Sequence, residues 1–156
     1  MADYHTSIDI EAPPDVVFTH LTTPDGLTAW LGQFAQVEAV AGGAFLVHIS
    51  GAVMTGSVLE VVPSRRFVVS WGLAGSGDFP PGSSRLSFTL TPTDRGTRLE
   101  LVHTGIPETR GHTHAAGWQH FLPRLGAVAE GGDVRPDFWR PGPDAGDGRG
   151  RDEGAE

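Results

Sequence analysis

Cysteine and lysine are both missing from the 156-residue chain. Without cysteine there is no disulfide framework, no thiolate nucleophile and no cysteine zinc site. A reducing compartment fits that absence, and a cytoplasmic location is the expectation. The 11 basic residues are all arginines, set against 19 acidic ones, and the formal net charge is −8. An acidic chain with scattered arginines repels phosphate backbones, so no nucleic-acid partner is expected. The one adjacent basic pair, Arg65-Arg66, falls at a turn and reads as a solvated loop. Hydrophobic runs are too short to span a bilayer, so no membrane association is expected. The first residues, Met1 to His5, lack the basic start and apolar run of a secretory leader.

What is present is periodicity. Tyr4 to Ile10 alternates and predicts an opening strand, with Ile8 and Ile10 on one face. Pro13-Pro14-Asp15 starts a short helix, where proline suits the first turn and the acid suits the helix dipole. Thr23-Pro24-Asp25 repeats that signal, and Leu27, Trp30 and Leu31 at i, i+3 and i+4 predict a second short helix with Trp30 inward. From residue 34 the period changes to two. Strands are predicted over Phe34 to Val40, Phe45 to Ile49, Met54 to Val62, around Phe67, Val69 and Trp71, around Leu86, Phe88 and Leu90, and from Thr97 to His103. Tight turns between them imply an antiparallel meander. Residues 72–84, rich in glycine, proline and serine, form a long loop, read either as a lid or as a plain connection.

The last element is a long helix over about 112–130. Trp118, Phe121, Leu122, Leu125, Val128 and Ala129 make one apolar stripe, which His114 and Ala115 extend backwards. Pro123 removes one backbone donor and is expected to kink it. Gly131-Gly132 stops it. The domain is therefore bounded at residues 3–132. Residues 133–156 are acidic and rich in glycine and proline, and are expected to be a disordered tail. The aromatic pair Phe138-Trp139 leaves open whether part of that segment folds back.

The order of strand, two short helices, six strands and long helix resembles the α+β helix-grip fold of the Bet v 1-like and START-related superfamily. Ile10-Glu11-Ala12-Pro13-Pro14 and Leu27-Thr28-Ala29-Trp30 resemble the activator-of-Hsp90-ATPase-like family. So do Gly56-Ser57-Val58-Leu59-Glu60 with Pro63, the later Trp71, and Gly96 through Gly105 (Gly-Thr-Arg-Leu-Glu-Leu-Val-His-Thr-Gly). The last matching stretch is His114-Ala115-Ala116-Gly117-Trp118 with Leu122 and Leu125. The resemblance covers residues 3–130 and implies a curved antiparallel sheet of about seven strands gripping the long helix. Phe18 stands where tryptophan is common in the family, and Pro123 where a polar residue is expected. Nothing resembles the N-terminal Hsp90-binding domain of the eukaryotic co-chaperones, so the family name carries no chaperone role by itself.

Chemistry is sparse in the sequence. His112 and His114 point about 200° apart on a helix, and no histidine has a histidine partner at i+4. No metal and no cofactor are expected. His103 and His114 can meet across a pocket, but two histidines without a carboxylate make a poor zinc site. The serines show no nucleophile-elbow pattern. Glu100 alternates with Leu99 and Leu101 and points outward, whereas Glu60 reads either as a lone acid near a cavity or as a solvated one.

A curved sheet against one helix leaves a concave apolar space that suits a small ligand. Gly56 and Gly117 are expected to enlarge it by subtracting side-chain volume. The candidate ligand-binding residues are Trp30, Phe45, Trp71, Phe88, His103, His114 and Trp118, with no catalytic residue named. The expected function is binding of a small apolar or aromatic ligand. Two other readings stay open: a protein-interaction or co-chaperone-like module, and a cofactor-free cyclase or hydrolase.

Overall fold

A computed structural model describes residues 2–132 and Val134. The expected tail over 133–156, with Phe138 and Trp139, lies outside the described residues apart from Val134. β1 (Ala2–Ile10) leads into α1 (Pro14–Thr22) and α2 (Pro24–Thr28). β2 (Phe34–Val37), β3 (Ala44–Ile49), β4 (Ala52–Val62), β5 (Arg66–Leu73), β6 (Ser84–Thr93) and β7 (Gly96–Ile106) follow. A single 3-10 turn at Glu108–Arg110 then opens α3 (Gly111–Ala129).

All seven strands join one antiparallel sheet in the order β1-β7-β6-β5-β4-β3-β2. The meander from β2 to β7 needs only local turns, and the two short helices carry the chain from one sheet edge to the other. Thr97, Leu99, Leu101 and His103 all face inward and are fully buried, as their period of two requires. Phe67, Phe88 and Leu101 stand side by side across three strands, and Val69, Leu86 and His103 form the next row. α3 closes this face with Trp118, Phe121, Leu122, Leu125 and Ala129, all buried. The opposite face is mixed, with Phe34 and Leu59 exposed on it beside surface ion pairs. Arg66 pairs with Glu60, Arg98 with Asp9 and His5 with Glu100.

Several boundaries differ from the sequence reading. α2 ends at Thr28, so Trp30 and Leu31 sit just past its C-cap, although both are buried. β2 stops at Val37 because Glu38 and Val40 already bond into the turn around Gly42-Gly43. α3 runs from Gly111 to Ala129 through Pro123, which removes the donor to the carbonyl of exposed Gln119. Gly131 terminates it in the left-handed region, φ 94°, with its N–H on the Val128 carbonyl. Glu60 is half-exposed and its carboxylate lies 3.1 Å from Arg66 Nε, which makes it a surface ion pair.

Gly56 also departs from the expectation. A Cβ there would run into the Ser70 carbonyl of the neighbouring strand. The glycine admits close approach of β5 rather than enlarging the interior.

Candidate functional site

Three segments far apart in sequence meet at one end of the sheet. The first is the β3–β4 turn at Ser50-Gly51, both with positive φ. The second is the connection leaving β5, and the third is the first two turns of α3. Between them lies a cavity of about 900 Å³. Leu31, Met54, Trp71, Leu73, Trp118 and Phe121 form its apolar walls. Gly117 on α3 is part of the lining.

The glycine- and serine-rich loop is tied down rather than loose. Phe79, its one large apolar residue, is fully buried and sets its ring edge-on to His114 at 5.1 Å between centroids. The Leu73 N–H donates to the Phe79 carbonyl at 2.8 Å, and the Phe79 N–H donates to Ser76 Oγ at 3.0 Å. Asp78 then receives Arg110 twice, from Nε at 3.2 Å and from Nη2 at 3.0 Å, and the Ser76 hydroxyl at 2.8 Å. These bonds, Arg110 foremost and then Ser76, hold the Asp78 carboxyl down to about 2. The loop thus forms a wall of the cavity and is pinned to the start of α3.

Behind the cavity lies a hydrogen-bonded set of indoles and imidazoles. Trp118 Nε1–H donates to His103 Nδ1 at 3.2 Å. An indole nitrogen can only donate, so that imidazole nitrogen is bare and the proton sits on Nε2. Nε2–H therefore donates to Ser84 Oγ at 2.8 Å, and the Ser84 hydroxyl donates to the Trp71 carbonyl at 2.7 Å. His114 carries its proton on the other nitrogen. Its Nδ1–H donates to the Arg110 carbonyl at 3.1 Å, and its Nε2 accepts Trp71 Nε1–H at 3.4 Å. The two rings lie 5.2 Å apart, edge to face, without bonding each other.

Burial pushes the His103 imidazole down to about 3, with a smaller contribution from neighbouring His114. His114 is also lowered, chiefly by burial. Both are neutral at neutral pH. This tautomer arrangement rules out one chemistry. A serine nucleophile needs an imidazole nitrogen that accepts its proton, but His103 offers Ser84 an N–H instead. Ser84 and His103 form a structural pair.

Of the residues named from the sequence, Trp71, His114 and Trp118 line the cavity. His103 lies behind them, fully buried, with its ring against those of Trp71, His114 and Trp118. Phe45 packs on Trp71 at 6.0 Å and Phe88 on Trp118 at 6.3 Å, both from within the core. Trp30 is elsewhere: its indole N–H donates to the His20 carbonyl at 2.9 Å. Sequence reasoning missed Phe79, Asp78 and Arg110. The signal for Phe79 was its isolation as the one aromatic in a polar loop. No signal linked Asp78 to Arg110 across 32 positions. Among the described residues, no group of three or more histidine, aspartate or glutamate side chains is placed to hold a metal ion. No described helix is long and apolar enough to cross a membrane.

The family model for activator of Hsp90 ATPase homolog 1-like protein matches residues 11–130. The chain belongs to this family. The AHSA1-like protein of Rhizobium etli is 36% identical, with 97% of this chain and 91% of that one covered and a TM-score of 0.66. Protein MLL2253 of Mesorhizobium loti is 26% identical over 85% of this chain and 100% of its own, with a TM-score of 0.75. DynU16, from the dynemicin biosynthetic locus, is 25% identical over 88% of this chain and 51% of its own, with a TM-score of 0.75. A search of curated proteins finds no match. The seven-stranded sheet and long helix are those of the AHSA1-like, Bet v 1-like fold.

Proposed function

We propose that this AHSA1-like domain binds a small apolar or aromatic molecule in the cavity between the β5–β6 loop and the N-terminal half of α3. The cavity itself carries the reading. Its volume of about 900 Å³ falls in the range of small-molecule sites, and apolar side chains make up more of its walls than polar ones. Two indoles, Trp71 and Trp118, lie 5.5 Å apart at its inner wall. The origin of DynU16, a similar structure from a biosynthetic locus, also favours a small-molecule role. The ion pairs Arg66–Glu60 and Arg98–Asp9 on the outer face of the sheet interrupt any apolar interface there. The tautomer of His103 weighs against a hydrolase built on Ser84.

Native mass spectrometry of the purified protein, followed by melting curves with a panel of apolar and aromatic compounds, tests this. A ligand at about 100 times its Kd stabilises a fold by about 2.7 kcal/mol, an upward shift of several degrees. Gly117→Leu, which places a side chain in the cavity, should abolish that shift while the protein still folds. A panel without effect on the wild type, or equal shifts in the variant, would move the protein-interaction reading into first place.

A further inference from the structure

Among the described residues that line the cavity, three ionise: Asp78, Arg110 and His114. His114 is a neutral ring with both nitrogens already bonded, one to Trp71 and one to a backbone carbonyl. Arg110 sends Nε and Nη2 to the Asp78 carboxylate and Nη2 again to Ser76 Oγ at 3.4 Å. Its guanidinium also lies 5.7 Å from the centre of the Phe79 ring. The charges at the cavity wall therefore cancel in place. A carboxylate entering this space loses hydration, and the cation that could compensate it faces Asp78. It would also approach Asp78 itself, a second negative charge, on a chain whose formal net charge is −8. A neutral hydroxyl or carbonyl oxygen loses far less hydration and carries no charge for Asp78 to repel. It can still accept an N–H from the guanidinium, which has five donors in all.

We infer that the cavity selects neutral aromatic molecules over aromatic carboxylates of the same size, because Asp78 occupies the charge-recognising side of Arg110. The inference rests on the ligand-binding reading and sharpens it to a substrate class. Asp78 acts here as a specificity determinant that withholds Arg110 from anions. Arg–carboxylate pairing is directional and bidentate, so releasing the arginine should create an anion site where none operates in the wild type. Asp78 has a side chain that is 55% exposed, and in Asp78→Asn the remaining side-chain oxygen still accepts the Ser76 hydroxyl that completes the turn.

The test uses 2-naphthol and 2-naphthoate at neutral pH, where the first is neutral and the second anionic, with affinities measured by calorimetry. The wild type should bind naphthol roughly tenfold or more tightly than naphthoate. Asp78→Asn should shift the ratio of naphthol to naphthoate affinity roughly fivefold or more towards naphthoate. Arg110→Gln should leave naphthoate at least as weak as in the wild type. Melting curves of both variants establish that they are folded. Naphthoate binding the wild type as tightly as naphthol, or an unchanged ratio in Asp78→Asn, would overturn the selection and leave the cavity a binding site. Failure of both compounds to bind the wild type would remove the binding reading as well, and the selection with it.

Discussion

The indole N–H of Trp118 points at Nδ1 of His103 from 3.2 Å and fixes which nitrogen of a fully buried imidazole carries the proton. A strand residue and a helix residue, 15 positions apart, are thereby joined by the one bond their chemistry allows. Protonating His103 would place an N–H against an N–H. Burial and this geometry act in the same direction.

The consequence for pH follows from the lowered histidines. His103 titrates near 3 in the folded protein and near 6.5 when unfolded, and His114 is shifted the same way. Below 6.5 the unfolded chain takes up protons that the folded one refuses. The stability present above that pH is therefore lost as pH falls towards 3. Each such proton contributes a slope of about 1.4 kcal/mol per pH unit at most. Urea unfolding at several values between pH 7 and pH 5, above the range where carboxylates titrate, should show a steady loss, reduced in His103→Gln. A flat profile in the wild type would contradict the neutral, buried assignment.

Trp118 joins helix to sheet and cavity, with its ring against Trp71, Phe88 and His103. Truncation to alanine should cost about 3–5 kcal/mol in denaturant unfolding, the range for a buried large aromatic. Gln119→Ala, on the exposed side of the same turn, should change stability by less than about 0.5 kcal/mol. Comparable losses at the two positions would contradict the helix orientation.

Much of this arrangement was legible in the sequence. The face Thr97, Leu99, Leu101 and His103 follows from period two, and the stripe from His114 through Ala129 from period 3.6, because each depends only on local geometry. The pair of histidines at the inner end of both elements could be foreseen for the same reason. Their partners could not. Ser84 lies across the β6–β7 register from that end of β7, and its hydroxyl meets His103 only once the strands are paired. Gly56 shows the converse failure. Loss of side-chain volume can be read from the residue type, but the approach of the Ser70 carbonyl depends on how β5 pairs with β4, which no local pattern carries.

Phe79 is the sharpest example of what a local reading misses. Loop composition predicts exposure, yet this side chain is fully buried against His114, held by a turn that Ser76 and Asp78 complete. Phe79→Ala should lower stability by about 3 kcal/mol, measured by urea unfolding, because a buried ring is deleted. A change within about 0.5 kcal/mol would show that the loop does not pack as a wall of the cavity.

Entry of a small molecule into the cavity lined by Trp71 and Trp118 is read by the indole N–H signals of a two-dimensional nitrogen–proton NMR spectrum. On titration with 2-naphthol, the Trp71 and Trp118 signals should shift in a saturable manner. The Trp30 signal, whose N–H is bonded to the His20 carbonyl away from the cavity, should stay in place. Shifts confined to Trp30, or no saturable shift at Trp71 and Trp118, would contradict the account.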